Sequence, residues 1–304
     1  MANATPLKSV PQLAAAGADA RFSDWWELTK PRLSLMSVAT AVLGYFAAGP
    51  QPDFLLFASL CLGTTLAAFG CGVLNQWWER DADARMRRTA DRPVAAGRIS
   101  PVRALVFGLL LAGGGVALLA WGVNLAAALL TLATILLYLL AYTPLKRVTP
   151  WATEIGAIPG ALPPLIGWVA AGAGFSAMGW VLFAILFAWQ IPHFMAISWM
   201  CREDYAAGGF RMLSVADSSG RRVAFKALAW TLALVGVSLL PLLEPGIGWI
   251  LLAATLVLAW AHLVPAVRFL RRPVESLHAR KLFFATLLYL PVYLAALVVD
   301  RFFI

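Results

Sequence analysis

Charge is scarce in this chain. Of its 304 residues, 13% are Asp, Glu, Lys or Arg, about half the share of a soluble domain. That excludes a water-soluble globule and, with 61% hydrophobic residues, a disordered chain. Cysteine is rare as well. Cys61, Cys71 and Cys201 are the whole complement, and none forms a CxxC pair. Disulfide scaffolding and zinc are therefore poor readings. Alternating ten-residue segments, which a β-barrel would need, are missing. The first twenty residues are Ala-rich and polar and lack the apolar stretch of a signal peptide. Residues 1–24 read as a disordered cytoplasmic tail, and 25–304 as a single membrane domain.

What the chain has instead is long apolar runs. Nine can be marked, approximately Leu33 to Gly49, Phe54 to Trp78, Val102 to Trp121, Leu125 to Tyr142, Thr153 to Ala173, Met178 to Met200, Phe225 to Leu243, Trp249 to Val267 and Leu282 to Val299. A helix crosses a bilayer with about 20 apolar residues. The runs predict an all-α polytopic membrane protein, a bundle of nine transmembrane helices. Trp25, Trp26, Trp77, Trp78, Trp121, Trp151, Trp180, Trp199 and Trp249 fall near the ends of runs, where interfacial anchors belong. The net charge is +9, which in a soluble protein would suggest nucleic acid. Here every Lys and Arg except Arg301 falls on one face of a nine-span topology. The positive-inside rule makes that face cytoplasmic, puts the amino terminus there and the carboxyl terminus opposite, and leaves no need for a nucleic-acid partner.

Two of the cytoplasmic loops, Glu79 to Pro101 and Cys201 to Arg222, are long and mix acid with base. In a chain otherwise stripped of charge, such loops are where chemistry is sought. The first opens with Asn75-Gln76-Trp77-Trp78-Glu79-Arg80-Asp81-Ala82-Asp83. If the second helix continues through it, Asn75, Glu79 and Asp83 form one stripe about 12 Å long, with Asp83 at the solvated rim. Three carboxylates in five residues repel one another unless a cation sits among them. Mg2+ suits them, because it takes one or two carboxylates and completes its shell with water and substrate phosphates. The bland alternative is a solvated helix end neutralised by Arg80, Arg85, Arg87 and Arg88. An amide in the stripe at membrane depth favours function. Arg85, Arg87, Arg88 and Arg92 follow, and guanidinium forks fit phosphate oxygens, so the segment reads as a metal–diphosphate site.

A second cluster runs from Gln190 and His193 to Glu203, Asp204 and Tyr205. On one continuous helix, His193 and Asp204 would be nearly eclipsed, with Gln190 close to the same stripe and Asp204 at the cytoplasmic rim. Ionisable groups within a span are functional by default, although a lone His also serves as a packing contact. In Tyr142-Thr143-Pro144-Leu145-Lys146-Arg147, Lys146 is placed to hold a phosphate. The run from Gly156 to Pro164 should break or kink the fifth helix and let backbones approach closely. His262 and His278 lack a comparable acidic partner and read as structural.

These residues resemble the UbiA-type intramembrane prenyltransferases. The resemblance covers Lys30-Pro31-Arg32, Asn75 to Pro101, Tyr142 to Trp168 and His193 to Leu213. Asn75-x-x-x-Glu79-x-x-x-Asp83 is similar to the family's first Asp-rich motif, with Glu79 where Asp is commoner. The second motif departs from the family pattern, since Met200 and Gly208 flank Asp204 at four residues. His193…Glu203-Asp204-Tyr205 is instead the form of the haem branch. The resemblance implies nine helices and the transfer of a farnesyl group from farnesyl diphosphate to a vinyl group of haem B, giving haem O and diphosphate. It implies Mg2+ on Asn75, Glu79, Asp83 and Asp204. It places diphosphate on Arg32, Arg88, Arg92, Tyr142, Lys146 and Arg147, and haem on His193 and Gln190. It also implies a site at the cytoplasmic face of the inner membrane, with both greasy substrates arriving from the lipid bilayer and a haem A synthase receiving the product. Prenylation of a quinone precursor is the runner-up. A secondary transporter of an anionic metabolite is the rival from another class, disfavoured because the carboxylates gather at one face rather than at the midplane.

Overall fold

The computed structural model describes residues 20–244 and 248–303, and among them every regular element is helical. The order is α1 (Phe22–Leu28), α2 (Pro31–Ala47), α3 (Phe54–Asp83), α4 (Pro101–Gly122) and α5 (Leu125–Leu136). A π-helical stretch, Leu137–Tyr142, then runs into α6 (Thr143–Leu145). There follow α7 (Ala152–Ala170), α8 (Ala177–Met200), α9 (Arg202–Ala207), α10 (Leu213–Ala216), α11 (Arg221–Ser238), α12 (Trp249–Arg271) and α13 (Ser276–Phe303). Of the expected tail, residues 1–19 lie outside the described residues. Phe22 already begins α1, where Arg98 grips Asp24 at 2.7 Å and Glu27 at 3.0 Å.

Seven stretches are long and apolar enough to cross a membrane: Phe54–Asp83, Pro101–Gly122, Leu125–Leu145, Ala177–Met200, Arg221–Leu243, Trp249–Arg271 and Ser276–Asp300. The chain is a multi-pass membrane protein. Two of the nine expected positions fall outside that set. α2 has only 17 residues, and α7 dilutes its apolar character with Glu154, three prolines and its glycines.

α7 is the helix around which the bundle closes. All its residues from Ala161 to Ala170 are buried, as a helix apolar on every side must be. The Gly/Pro run does not break it, since α7 continues through Pro159, Pro163 and Pro164. It does bring backbones together: a Cβ on Gly167 would lie 1.7 Å from the Ala41 carbonyl oxygen, and one on Gly44 2.1 Å from that of Pro164. α3 and α4 pair in the same way, with Gly70 against Ala112 and Gly115 against Ala67. Lipid tails supply no hydrophobic drive between helices, so close van der Waals contact through small residues has to hold them. Trp26, Trp121, Trp151 and Trp249 are exposed as anchors should be, but Trp199 is fully buried. Its ring fills the space a Gly220 side chain would take, beside Pro273.

Candidate active site

The asparagine–carboxylate stripe is helical throughout. α3 is capped at its start by Asp53, whose carboxylate accepts from the Leu56 amide at 2.9 Å, and it runs unbroken to Asp83. Asn75, Glu79 and Asp83 therefore share one face, and all three are buried. Asp83 is not at a solvated rim. Arg92 holds both its oxygens at 2.7 Å, so the loop that follows α3 folds back over the end of the helix. That burial requires compensation, because a carboxylate out of water is tolerated only when paired.

The pairing comes from cations on three other segments. Lys146, just past α6, places Nζ 2.6 Å from Glu79 Oε1. Lys30 donates to Asn75 Oδ1 at 2.7 Å, and the Asn75 amide donates to Glu79 Oε2 at 3.0 Å and to the Thr143 hydroxyl at 3.4 Å. Lys30 is the one non-glycine residue with positive φ among those described, at φ 51° and ψ 54°. Such backbone strain persists where surrounding contacts over-determine it, and it clusters at functional sites. Tyr142 and Phe210 bracket the Lys146 ammonium, with ring centroids at 4.5 and 5.5 Å. Tyr138 and Tyr142 lie in the π-helical stretch and Thr143 directly follows it; such bulges recur at functional sites.

The second loop closes over the cluster. Arg85 donates to the Gly208 carbonyl at 3.2 Å, the Arg211 amide donates to the Lys146 carbonyl at 2.8 Å, and Arg88 lies over the Tyr205 ring at 5.8 Å. Burial raises the Tyr205 phenol above its ordinary pKa, and the nearby Tyr142 adds to this against Arg88 and Lys146. Asp217 organises the far end of this loop. It accepts from Ser219 and from the Arg222 and Val223 amides at the start of α11. Burial pushes its carboxyl up, but these donors outweigh it and hold the pKa below the ordinary value.

Asp204 is separated from His193 by a break. α8 ends at Met200, Cys201 has non-helical backbone at φ −106°, and Asp204 belongs to α9. The expected eclipse on one helix therefore does not exist. Among the described residues, no hydrogen bond or ion pair joins the half-buried Asp204 carboxylate to Asn75, Glu79 or Asp83. Arg32, Arg88 and Arg147 are exposed. His193 faces α13. Its Nδ1 lies 2.8 Å from the Thr286 hydroxyl, and its ring stacks on Trp189 at 5.0 Å and meets Phe283 at 4.9 Å. Gln190 donates to the Ala157 and Leu186 carbonyls. The remaining histidines differ from each other. His262 is buried against Tyr289, whereas His278 does have an acidic partner, Glu275, at 3.0 Å.

Below the cluster lies an apolar cavity of about 220 Å³ between α2, α3, α5 and α7, with Lys30 at its polar end. The site is thus a cation-rich mouth on an apolar pocket. Lys30 and Thr143 escape a sequence reading of site residues. Lys30 directly before Pro31 is visible in the sequence, but its reach across to α3 depends on the αL turn. Thr143 carries no signal.

The UbiA prenyltransferase family matches residues 37–288. A protoheme IX farnesyltransferase of Opitutus terrae is 51% identical over 94% of this chain and 97% of its own. One of Solibacter usitatus is 42% identical over 91% and 98%. Among solved structures, a UbiA homologue from Archaeoglobus fulgidus bound to GPP and Mg2+ superposes with a TM-score of 0.59 at 14% identity, covering 90% of this chain and 99% of that one. One described as a digeranylgeranylglyceryl phosphate synthase reaches a TM-score of 0.77 at 18% identity, over 92% and 98%. By sequence and by fold, the chain belongs to the UbiA prenyltransferase family.

Proposed function

We propose that this protein joins farnesyl diphosphate, haem B and water to give haem O and diphosphate. The carrying observation is the near-full-length match to relatives named protoheme IX farnesyltransferase, at up to 51% identity. A buried acid–cation cluster at the mouth of an apolar cavity supports it, because a diphosphate with a hydrocarbon tail has that two-part chemistry.

The donor set fits Mg2+: two carboxylates and an amide on successive turns of α3, with phosphate oxygens to complete the shell. No group of three or more His, Cys, Asp or Glu that could hold a metal is present among the described residues; substrate phosphate and water would supply the rest of the shell. Asn75, Glu79 and Asp83 would hold the ion, with Asp204 brought in by the second loop. When bound, Mg2+ neutralises charge on the leaving diphosphate. The chain's own cations do the rest. Lys146 and Arg92 are held in place by Glu79 and Asp83 and stand ready to turn to phosphate oxygens, with Lys30, Tyr142, Arg32, Arg88 and Arg147 around them. Charge placed in advance where the diphosphate departs lowers the barrier to breaking the allylic C–O bond. A haem vinyl carbon forms the new C–C bond, and water adds afterwards to give the hydroxyethylfarnesyl side chain. The cavity has to stay dry until attack, since early water would yield farnesol.

His193 serves the acceptor in this reading. With Nδ1 engaged by Thr286, Nε2 is the nitrogen left for haem iron or the porphyrin edge, and Gln190 lies one turn away. α2 and α7 complete nine spans, with the amino terminus and the site at the cytoplasmic face of the inner membrane. A haem A synthase is the enzyme that would take the product onward. The test is to incubate purified protein with haem B, farnesyl diphosphate and Mg2+ and to weigh the product. Unmodified haem, or farnesol alone, refutes the proposal.

A further inference from the structure

We propose that a second pocket, between the turn before α7, the end of α12 and the starts of α10 and α11, binds the phosphodiester headgroup of an anionic phospholipid, gripped by Arg221 and Arg222.

The pocket has a volume of about 730 Å³ and lies where spans begin and end. Trp151 directly precedes α7, Arg221 opens α11 and Leu270 is the last residue but one of α12. α11 and α12 both belong to membrane-crossing stretches, so this is the level of the lipid headgroups. Trp151 and Phe225 of the lining are exposed, and so is Val148 on the same turn as Trp151. An aromatic ring with one wet edge belongs at that level.

Positions four apart share a helix face. On α11 this sets Arg222 with Lys226 and Arg221 with Phe225, a cationic stripe beside a mixed one. Lys226 is already engaged: it donates to Glu154, and its Nζ lies 4.3 Å from the centroid of the Trp151 ring. The two arginines are held only at their roots. The Arg221 amide donates to the Ser219 hydroxyl at 3.2 Å and the Arg222 amide to Asp217 at 2.8 Å. Neither guanidinium has a hydrogen bond or an ion pair among the described residues. The first amides of α11 are thus spent on Ser219 and Asp217, and recognition falls to the two free side chains.

Guanidinium forks fit phosphate oxygens, and the rest of the lining says which phosphate. Among the described residues no Asp, Glu, His, Cys or Met lines the pocket. It therefore offers no ligands for the Mg2+ that would accompany a diphosphate, and no axial ligand for haem iron. A phosphodiester carries a single charge and needs neither. A free phosphate ion would leave most of the volume empty and Trp151, Phe225 and Leu270 unused. The glycerol and first methylenes of a lipid would cover those three. Basic pockets between spans at the cytoplasmic face hold anionic headgroups for this reason.

The experiment adds phosphatidylglycerol, with a photoactivatable group beside its headgroup, to the full-length protein in neutral detergent and maps the adducts by peptide mass. Labelling of residues 148–151 and 221–226 is expected, displaced by unlabelled phosphatidylglycerol and not by phosphatidylcholine. A Lys or Arg beside an anionic headgroup is worth about fivefold in binding. Arg222→Gln should therefore raise the lipid concentration for half-labelling about fivefold, and Arg221→Gln with Arg222→Gln about 30-fold. Arg103→Gln with Arg280→Gln removes the same charge near the starts of α4 and α13 and should leave labelling of the pocket unchanged. All four side chains are exposed, so the variants keep their fold, and Arg222→Gln alone decides the matter if the double variant does not. Equal labelling by a phosphatidylcholine probe, or the same response in both double variants, overturns the proposal. So does displacement by inorganic phosphate, farnesyl diphosphate or haem B but not by phosphatidylglycerol.

Discussion

Lys146→Met is expected to destabilise the protein far more than Glu79→Gln, although the two remove the same ion pair. The pair is buried, with 4% of Glu79 and 7% of Lys146 exposed, and its atoms are 2.6 Å apart. At an effective dielectric constant of about 20, the gross attraction is roughly 6 kcal/mol. Desolvation of both ions offsets most of that, and the cost of deleting one partner is then dominated by the charge left behind, about 3–5 kcal/mol. Lys146→Met strands the Glu79 carboxylate with only the Asn75 amide as donor. Glu79→Gln strands the Lys146 ammonium, but the Tyr142 and Phe210 rings remain around it. At about 2–4 °C per kcal/mol for a chain approaching this size, Lys146→Met should lower the unfolding midpoint by about 10 °C in Mg2+-free detergent solution. Glu79→Gln should lower it by roughly half as much, and the double variant by less than the two losses combined. Mg2+ is expected to restore more of the midpoint in Lys146→Met than it adds to wild type, because the ion replaces the missing ammonium beside Glu79. A wild-type midpoint in Lys146→Met, or a larger loss in Glu79→Gln, would refute the reasoning.

Asp83→Asn keeps the shape of the stripe and removes its charge, so it is expected to reduce turnover at least 100-fold while the protein still purifies as a folded monodisperse species. Ordinary turnover at ordinary Mg2+ removes Asp83 from the site. Gly167→Ala pushes a methyl into the Ala41 carbonyl and should cost about 1–3 kcal/mol by overpacking. Gly236→Ala, with open space around it, should be neutral or slightly stabilising, and thermal unfolding of both checks the contrast. His193→Ala is expected to weaken haem binding, read by absorbance titration, while binding of labelled farnesyl diphosphate is unchanged; an unaltered haem spectrum with normal turnover makes His193 a packing residue. Asp217 titrates lower in the fold than its ordinary 3.8, so its contribution is complete above that pH and fades as the pH falls through the lower folded value. Asp217→Asn should therefore cost about 1 kcal/mol at pH 7 and much less near pH 3, as measured by unfolding midpoints at both.

The apolar runs and the Asn75-Glu79-Asp83 spacing are local facts, and local physics was enough for them. A stretch of 20 or more apolar residues has no alternative to helix in lipid, because its backbone polar groups must bond internally. Continuation of α3 through its charged end follows from the same 3.6-residue periodicity. The family motifs are legible for the related reason that metal and phosphate ligands must recur on one face.

What the sequence left open depends on distant segments meeting. Asp83 reads as solvated until the loop carrying Arg92 folds over it, and Trp199 reads as an interfacial anchor until Gly220 makes room for its ring. The apolar run does end at Met200, where α8 ends, but whether the chain continues as one helix past Cys201 is a backbone choice that the run does not encode, and the break dissolves the expected alignment of His193 with Asp204. Lys30 belongs to a segment that carries the family resemblance, but nothing in the sequence says what its side chain touches. Only the αL turn before α2, and the approach of α2 to α3, carry its ammonium 45 residues along the chain to Asn75. The cavity beneath is still further from the sequence. Its walls come from four helices, and a space left where four helices meet leaves no periodic mark in any one of them.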